Sequence, residues 1–196
     1  MNTILVIDSA VSGEASVSRA LVREAVAALS RAEPSEVIYR DLGRAPVPHL
    51  TEATLAGVRG TPATEPESAT RALSDTLIAE LRAADTIVIG APMYNFSVPT
   101  TLRSWFDHVL RAGVTFKYTE TGPQGLLTGK RAYILTARGG IHAGATSDHQ
   151  EPYLRQVMAF IGIHDVTFIH AEGLNMGGDF HEKGLNQAKA QLAAVA

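Results

Sequence analysis

Residues 86–100 read TIVIGAPMYNFSVPT. The first five, TIVIG, form a short aliphatic run with no polar alternation, the pattern of a strand buried on both faces. Pro92 lacks an N–H to donate and ends the run. Pro99 suits the first turn of a helix, and the following segment, residues 102–110, places Leu102, Trp105, Phe106, Val109 and Leu110 on one stripe. Between the two prolines the chain must turn with two aromatics and an Asn. A strand that leads through such a loop into a helix is half of a βαβ unit.

The same grammar repeats outward in both directions. Apolar runs at residues 3–7, 132–136 and 166–170 are buried strands of the same kind, and the more polar EVIYRDL at residues 36–42 fits a sheet edge. Helical stripes separate them. Leu21, Ala25, Ala28 and Leu29 form one; Leu73, Leu77, Leu81 and Ala84 a second; Leu154, Val157, Met158 and Ile161 a further one, closed by Gly162. Gly113 is expected to cap the helix of residues 102–110. A tail helix is expected over residues 182–195 and a weaker one over 51–58, with a surface loop at residues 59–68, RGTPATEPES. Strands alternating with helices predict an α/β fold: a flavodoxin-like, doubly wound, five-stranded parallel sheet of order 2-1-3-4-5, in one domain over residues 1–196.

Composition narrows the classes. The chain has 196 residues, 45% of them hydrophobic and 19% charged, with a net charge of −3. A chain of that size buries about 70% of its unfolded surface. No basic cluster points to nucleic acid, and no apolar run approaches the ~18 residues of a membrane span. With no cysteine there is no disulfide, thiolate or Fe–S chemistry, and a cytoplasmic location is the expectation. The seven His residues contain no H-E-x-x-H pair, no G-x-S-x-G is present, and Gly129-Lys130 lacks the phosphate-loop spacing.

In such sheets ligands sit at the carboxyl ends of the strands, which directs attention to three loops. After the first strand, Asp8-Ser9-Ala10-Val11-Ser12-Gly13-Glu14-Ala15-Ser16-Val17-Ser18 runs into a helix N-terminus, where unpaired amides and the helix dipole favour an anion. Ser16 and Ser18 are placed to cap the helix and to donate to a phosphate. After the third strand, Met93, Tyr94, Asn95 and Phe96 offer a platform for a flat ring with polar edges. After the fourth, Ala137-Arg138-Gly139-Gly140-Ile141-His142 offers backbone donors from adjacent glycines. A phosphate, a planar polar ring and backbone donors together describe FMN.

These residues resemble a known family, the FMN-dependent NADH-azoreductases, also described as quinone reductases of the flavodoxin-like superfamily. The resemblance covers the whole chain and rests on APMYNFSVPTTL (residues 91–102), RAGVTFKYTETGPQGLLTGK (111–130), ARGGIH (137–142) and FIGI-DV (160–166). It implies non-covalent FMN, NADH or NADPH as co-substrate, and azo compounds or quinones as acceptors reduced in ping-pong fashion. It further implies a homodimer with FMN sites at the subunit interface. Carried over by position, Ser9, Ala10, Ser16, Val17 and Ser18 are expected at the phosphate. Pro92, Met93, Tyr94, Asn95 and Phe96 are expected at the ring and ribityl chain, and Ala137, Arg138, Gly139 and Gly140 at the pyrimidine end. Arg59, Tyr118, His142 and Phe160 are expected on the substrate side, partly from the partner subunit. Two positions depart from the family: Ala10 and Ala137 stand where it commonly has Ser, and Ser9 and Thr136 are the neighbouring hydroxyls. No side-chain acid or base is required, because the flavin carries the chemistry. A flavodoxin-like electron carrier without NADH turnover is the alternative, and steady NADH oxidation separates the two.

Overall fold

The computed structural model describes residues 2–194. Strands β1 (Asn2–Asp8), β2 (Ser35–Asp41), β3 (Thr86–Pro92), β6 (Arg131–Ala137) and β7 (Asp165–Ala171) form one five-stranded sheet of order β2-β1-β3-β6-β7, all parallel. Setting aside a separate two-stranded hairpin, β4 (Phe116–Thr119) and β5 (Gly122–Gly125), this is the expected order 2-1-3-4-5. β3 is buried at every position, whereas the edge strand β2 is partly exposed along its length, as its polar sequence foretold.

Alternate residues of each strand feed two separate cores, as the period-2 pleat requires. Leu5 and Ile7 join α3 (Glu65–Ala83), α4 (Thr100–Val109) and α5 (Gln150–Ile161), around Trp105 and Phe106. Ile4 and Val6 join α1 (Val17–Ala32) and α6 (Phe180–Ala193) through Leu21, Val22, Ala188 and Leu192. Val195, at the end of the expected tail helix, lies outside the described residues. No described helix is long and apolar enough to cross a membrane.

Several local expectations are corrected. The surface loop shrinks to residues 60–64, because Thr64 and Glu67 form a capping box and α3 starts at Glu65 with Pro66 in its first turn. The weak helix at 51–58 is a short α2 (Leu55–Arg59). Pro99 is the N-cap of α4 and not part of its first turn; the helix stops at Val109, so Leu110 caps it. Gly113 instead occupies a left-handed turn, φ 75°, whose N–H bonds the Phe116 carbonyl at 2.7 Å. The β4–β5 hairpin was not foreseen. It lies against the C-terminus of α5, where Leu127 N–H donates to the Ile161 carbonyl (2.9 Å). A Cβ on Gly125 would sit 2.1 Å from the Gly162 amide nitrogen, so bare backbone meets bare backbone.

Gly125→Ala is therefore expected to destabilise the protein by about 1–3 kcal/mol through overpacking. Gly60→Ala, whose Cβ would find no atom nearer than 3.5 Å, should stay within about 0.5 kcal/mol in the same urea titrations. A second expectation concerns His108, buried in α4 with Nδ1 3.0 Å from the Ser104 carbonyl. Burial holds its imidazole below the ordinary value of 6.5. The folded chain resists a proton that the unfolded chain accepts. Stability is thus full above about pH 6.5 and is lost as pH falls through the depressed folded value. His108→Gln should give a shallower acid limb in Tm against pH; an unchanged slope would refute this origin.

Candidate functional site

The parallel register brings four strand ends, those of β1, β3, β6 and β7, to one edge: Asp8 pairs with Gly90, Pro92 with Ala137, and Ala137 with Ala171. Close approach matters here, since a Cβ on Gly90 would stand 2.8 Å from Asp8 Oδ1.

From β1 the chain passes through a single 3-10 turn (Gly13–Ala15) into α1. Ser16 is the N-cap; its Oγ accepts from the Arg19 N–H at 3.2 Å and lies 3.0 Å from Ser18 Oγ. The amides of Val17 and Ser18, in the first turn, have no intrahelical acceptor. Two hydroxyls, two free amides and the positive end of a sixteen-residue helix thus share one spot.

From β3, Met93 N–H bonds the Ala137 carbonyl (2.9 Å), and Tyr94 and Ser97 exchange both backbone hydrogen bonds (2.9 and 3.1 Å). The two residues between them, Asn95 and Phe96, have φ of 48° and 68°. Two positive φ values in a two-residue loop make the primed type I turn, which Asn tolerates and Phe does not. The tip amides of Asn95 and Phe96 have no acceptor among the described residues. Tyr94 anchors the turn by accepting from the Val11 N–H (3.2 Å). Phe96, 54% exposed, meets His142 edge-on at 5.7 Å, so the turn also touches the third loop.

From β6 the carbonyls of Arg138, Gly139 and Gly140 accept from the amides of Leu174, Asn175 and Gly173 at 3.1, 3.0 and 2.9 Å. The Arg138 amide donates to the Ala171 carbonyl (2.8 Å), which removes one of the three donors expected there. The amides of Gly139 and Gly140 have no acceptor among the described residues.

The three loops enclose a cleft of about 390 Å³. Of the residues expected at the cofactor, Ser16, Val17, Pro92, Met93, Tyr94, Ala137, Arg138 and Gly139 border it, whereas Asn95, Phe96, Gly140 and the fully buried Ser18 do not. Three further lining residues, Leu174, Asn175 and His181, come from the loop after β7 and the start of α6. No local signal marked them, since only the topology brings that loop to the edge. Ala10 borders a smaller pocket of about 230 Å³ next door, with Arg19, Asp41 and Arg44. Beneath it Tyr39 O–H donates to Asp8 Oδ2 (2.5 Å) and Arg19 Nη1 to Asp41 Oδ2 (2.7 Å). Burial raises the Asp8 carboxyl, and Arg19 holds Asp41 below the usual carboxylate range.

Other expectations are corrected. Ser9 is fully buried and its hydroxyl donates to the Gly90 carbonyl (2.6 Å); Thr136 is fully buried with Oγ1 2.9 Å from His170 Nδ1. Neither hydroxyl replaces those absent at Ala10 and Ala137. The Arg138 guanidinium turns away from the cleft and is fully buried between Asp148 and Glu172. Tyr118 and Phe160 are joined through Phe116 (5.6 and 4.4 Å) beside the C-terminal end of α5. Gln150, at its N-terminal end, contacts Ala91 and Pro92 at the cleft edge. About ten residues of helix, roughly 15 Å, separate the two aromatics from that edge. Arg59, exposed at the end of α2, does not line the cleft either.

An open parallel sheet with an anion-ready helix N-terminus and free loop amides at its carboxyl edge is an architecture of flavodoxin type. The chain belongs to the family described as Flavodoxin-like fold, which it matches over residues 2–196. It is 62% identical over 201 residues to the FMN-dependent NADH:quinone oxidoreductase 2 of Pseudomonas fluorescens, covering 100% of both chains. It is 60% identical over 200 residues to the FMN-dependent NADH:quinone oxidoreductase of Azotobacter vinelandii, again covering 100% of both. Among solved structures it is similar to an azoreductase from Bacillus anthracis, with a TM-score of 0.88, 27% identity and 99% and 98% of the two chains covered.

The turn of residues 94–97 yields a test of strain. Phe96→Gly relieves the left-handed backbone and Phe96→Ala does not. Chemical denaturation should find the Gly variant more stable than the Ala variant by about 1 kcal/mol. The reverse order would remove strain from the description of this turn.

Proposed function

We propose that the protein is an FMN-dependent NADH:quinone oxidoreductase that also reduces azo compounds. The observation that carries this reading is the convergence of donors on one cleft: Ser16 and the Val17 amide at the start of α1 at one end, the Gly139 amide at the other. The residues fit the cofactor: the Ser16 hydroxyl, backed by Ser18, and the Val17 amide at a helix N-terminus suit a phosphate, and the 94–97 turn carries free tip amides beside an aromatic side chain. About 390 Å³ falls within the usual range of cofactor clefts.

When bound, FMN supplies the hydride and electron chemistry. The protein's own residues bind and orient it. Ser16, Ser18 and the Val17 and Ser18 amides hold the phosphate. Tyr94, Asn95 and Phe96 flank the ribityl chain and ring. The Gly139 and Gly140 amides face the pyrimidine end, where donors favour negative charge. Phe96 and His142, in edge contact, form the rim over which nicotinamide and acceptor enter in turn; alternate use of one pocket gives ping-pong kinetics.

The same reading includes a single domain on a doubly wound sheet, supported by the two core clusters, and a cytoplasmic homodimer. Dimerisation is supported by the placement of Tyr118, 73% exposed, about a helix length from its own cleft. From there Tyr118 and Phe160 would serve the cleft of a partner subunit.

The purified protein should be yellow, or should develop flavin absorbance and a higher Tm on titration with FMN. It should oxidise NADH continuously with a quinone present; a single turnover per flavin would identify an electron carrier. The double variant Ser16→Ala/Ser18→Ala should bind FMN about tenfold or more weakly and riboflavin nearly as before, since each lost hydrogen bond to a charged group is worth about 1.5 kcal/mol. Equal weakening of both ligands would mean lost capping, not lost phosphate contact. Dilution should abolish dimer and activity together; activity that persists in monomers would refute the shared site.

A further inference from the structure

The Arg138 guanidinium has no solvent exposure, and all its donor nitrogens are engaged. Nη1 donates to Asp148 Oδ2 at 2.9 Å and to Glu172 Oε1 at 3.1 Å, Nη2 to Asp148 Oδ1 at 3.3 Å, and Nε to Gln150 Oε1 at 3.2 Å. Each partner then reaches a different loop. Glu172 Oε1 also accepts from the amides of His142 (2.7 Å) and Ala143 (2.9 Å). Gln150 Nε2 donates to the carbonyls of Ala91 (3.0 Å) and Pro92 (3.2 Å). Asp148 Oδ1 accepts from the amides of Gln150 (3.1 Å) and Glu151 (3.0 Å), which secures the start of α5. One buried cluster thereby joins the ends of β3, β6 and β7.

We propose that Arg138, Glu172, Asp148 and Gln150 are positioning residues that lock the Gly139–Gly140 amides toward the cleft before any ligand arrives. The reason is the planarity of the peptide bond. In a trans peptide the N–H points opposite to the preceding C=O. The Arg138 carbonyl is held by the Leu174 amide and the Gly139 carbonyl by the Asn175 amide. The N–H groups of Gly139 and Gly140 must therefore point away from the segment that holds them. Glycines have no side chain to fix such an orientation and lose the most conformational freedom when ordered. The restraint has to come from outside, and Arg138 and Glu172 supply it from either side of the two glycines. A buried cation between two carboxylates is strongly held only while every partner remains, so loss of one member loosens the whole loop.

The proposal rests on the flavin reading, but its test separates the two. Glu172→Gln keeps the shape and one acceptor while removing a charge; Arg138→Lys keeps the charge and loses the fork. Dissociation constants for FMN and riboflavin, and hydrogen exchange of the Leu174 and Asn175 amides in the flavin-free protein, are measured for each. The expected result is an equal loss of affinity for both flavins, about tenfold, because the ring end and not the phosphate is affected. Faster exchange at Leu174 and Asn175 should accompany it, with Tm of the flavin-free protein lowered by only a few degrees. Should one variant not accumulate, the other reports the same quantities. Affinity unchanged per folded molecule, weakening confined to FMN, or unchanged exchange at the two amides would each overturn the proposal. If the wild-type protein bound neither flavin, the functional reading would fall, and the exchange measurement would still decide whether the cluster holds the loop.

Discussion

The rest of the structure depends on one constraint, the complete burial of β3. A strand with all seven residues shielded from water must find its backbone partners inside the protein, here the neighbouring strands and the Ser9 and Gln150 side chains, and helix-covered sheets of this kind are built mostly from parallel pairs. Parallel pairing then forces every crossover to return to the same end. All carboxyl ends gather on one edge, and each must leave through a loop whose amides and carbonyls have lost their strand partners. The cleft is the consequence: it is where the backbone's unmet hydrogen-bonding capacity is concentrated.

The molecule handles that capacity unequally. Carbonyls at the edge are largely satisfied from within, by Gln150 at Ala91 and Pro92 and by the 173–175 amides at residues 138–140. Several amides are not: Val17 and Ser18 by helix geometry, Asn95 and Phe96 by the turn, Gly139 and Gly140 by the lock behind them. The edge is thus rich in donors and poor in free acceptors, a polarity suited to anions and carbonyl-bearing rings. Buried hydroxyls follow the same division, with Ser9 and Thr136 engaged in the framework, Ser18 fully buried behind Ser16, and Ser16 bordering the cleft.

Much of this was legible in the sequence, for identifiable reasons. Strands β1, β3, β6 and β7 are aliphatic runs bounded by breakers, and their periodic helical partners leave one fold class. The three edge loops followed from that topology and from their own Ser, aromatic and Gly content. What escaped was whatever depends on distant partners. The sequence of β4–β5, FKYT and GPQG, has almost no strand pattern, and the hairpin is held by contact with Gly162, far along the chain. Proline and glutamate at residues 65–67 suggested a loop by composition, although Thr64 and Glu67 spell a capping box. Arg138 is expected at the cleft by resemblance of position, and nothing local shows where its guanidinium goes. Its actual partners, Asp148 and Glu172, lie 10 and 34 positions away. Asn175 and His181 carried no local mark at all.

The docking of the hairpin has a further consequence. Its foot is fixed by main-chain contacts, Gly125 against Gly162 and Leu127 to Ile161, and by the buried Phe116 ring against Phe160, while residues 117–124 contribute no buried side chain. Such an attachment is indifferent to what the hairpin carries. Provided the two glycines, Phe116 and the left-handed Gly122 persist, exposed side chains at the tip can change at little cost to the fold. The hairpin is in this sense an interchangeable head on a permanent socket.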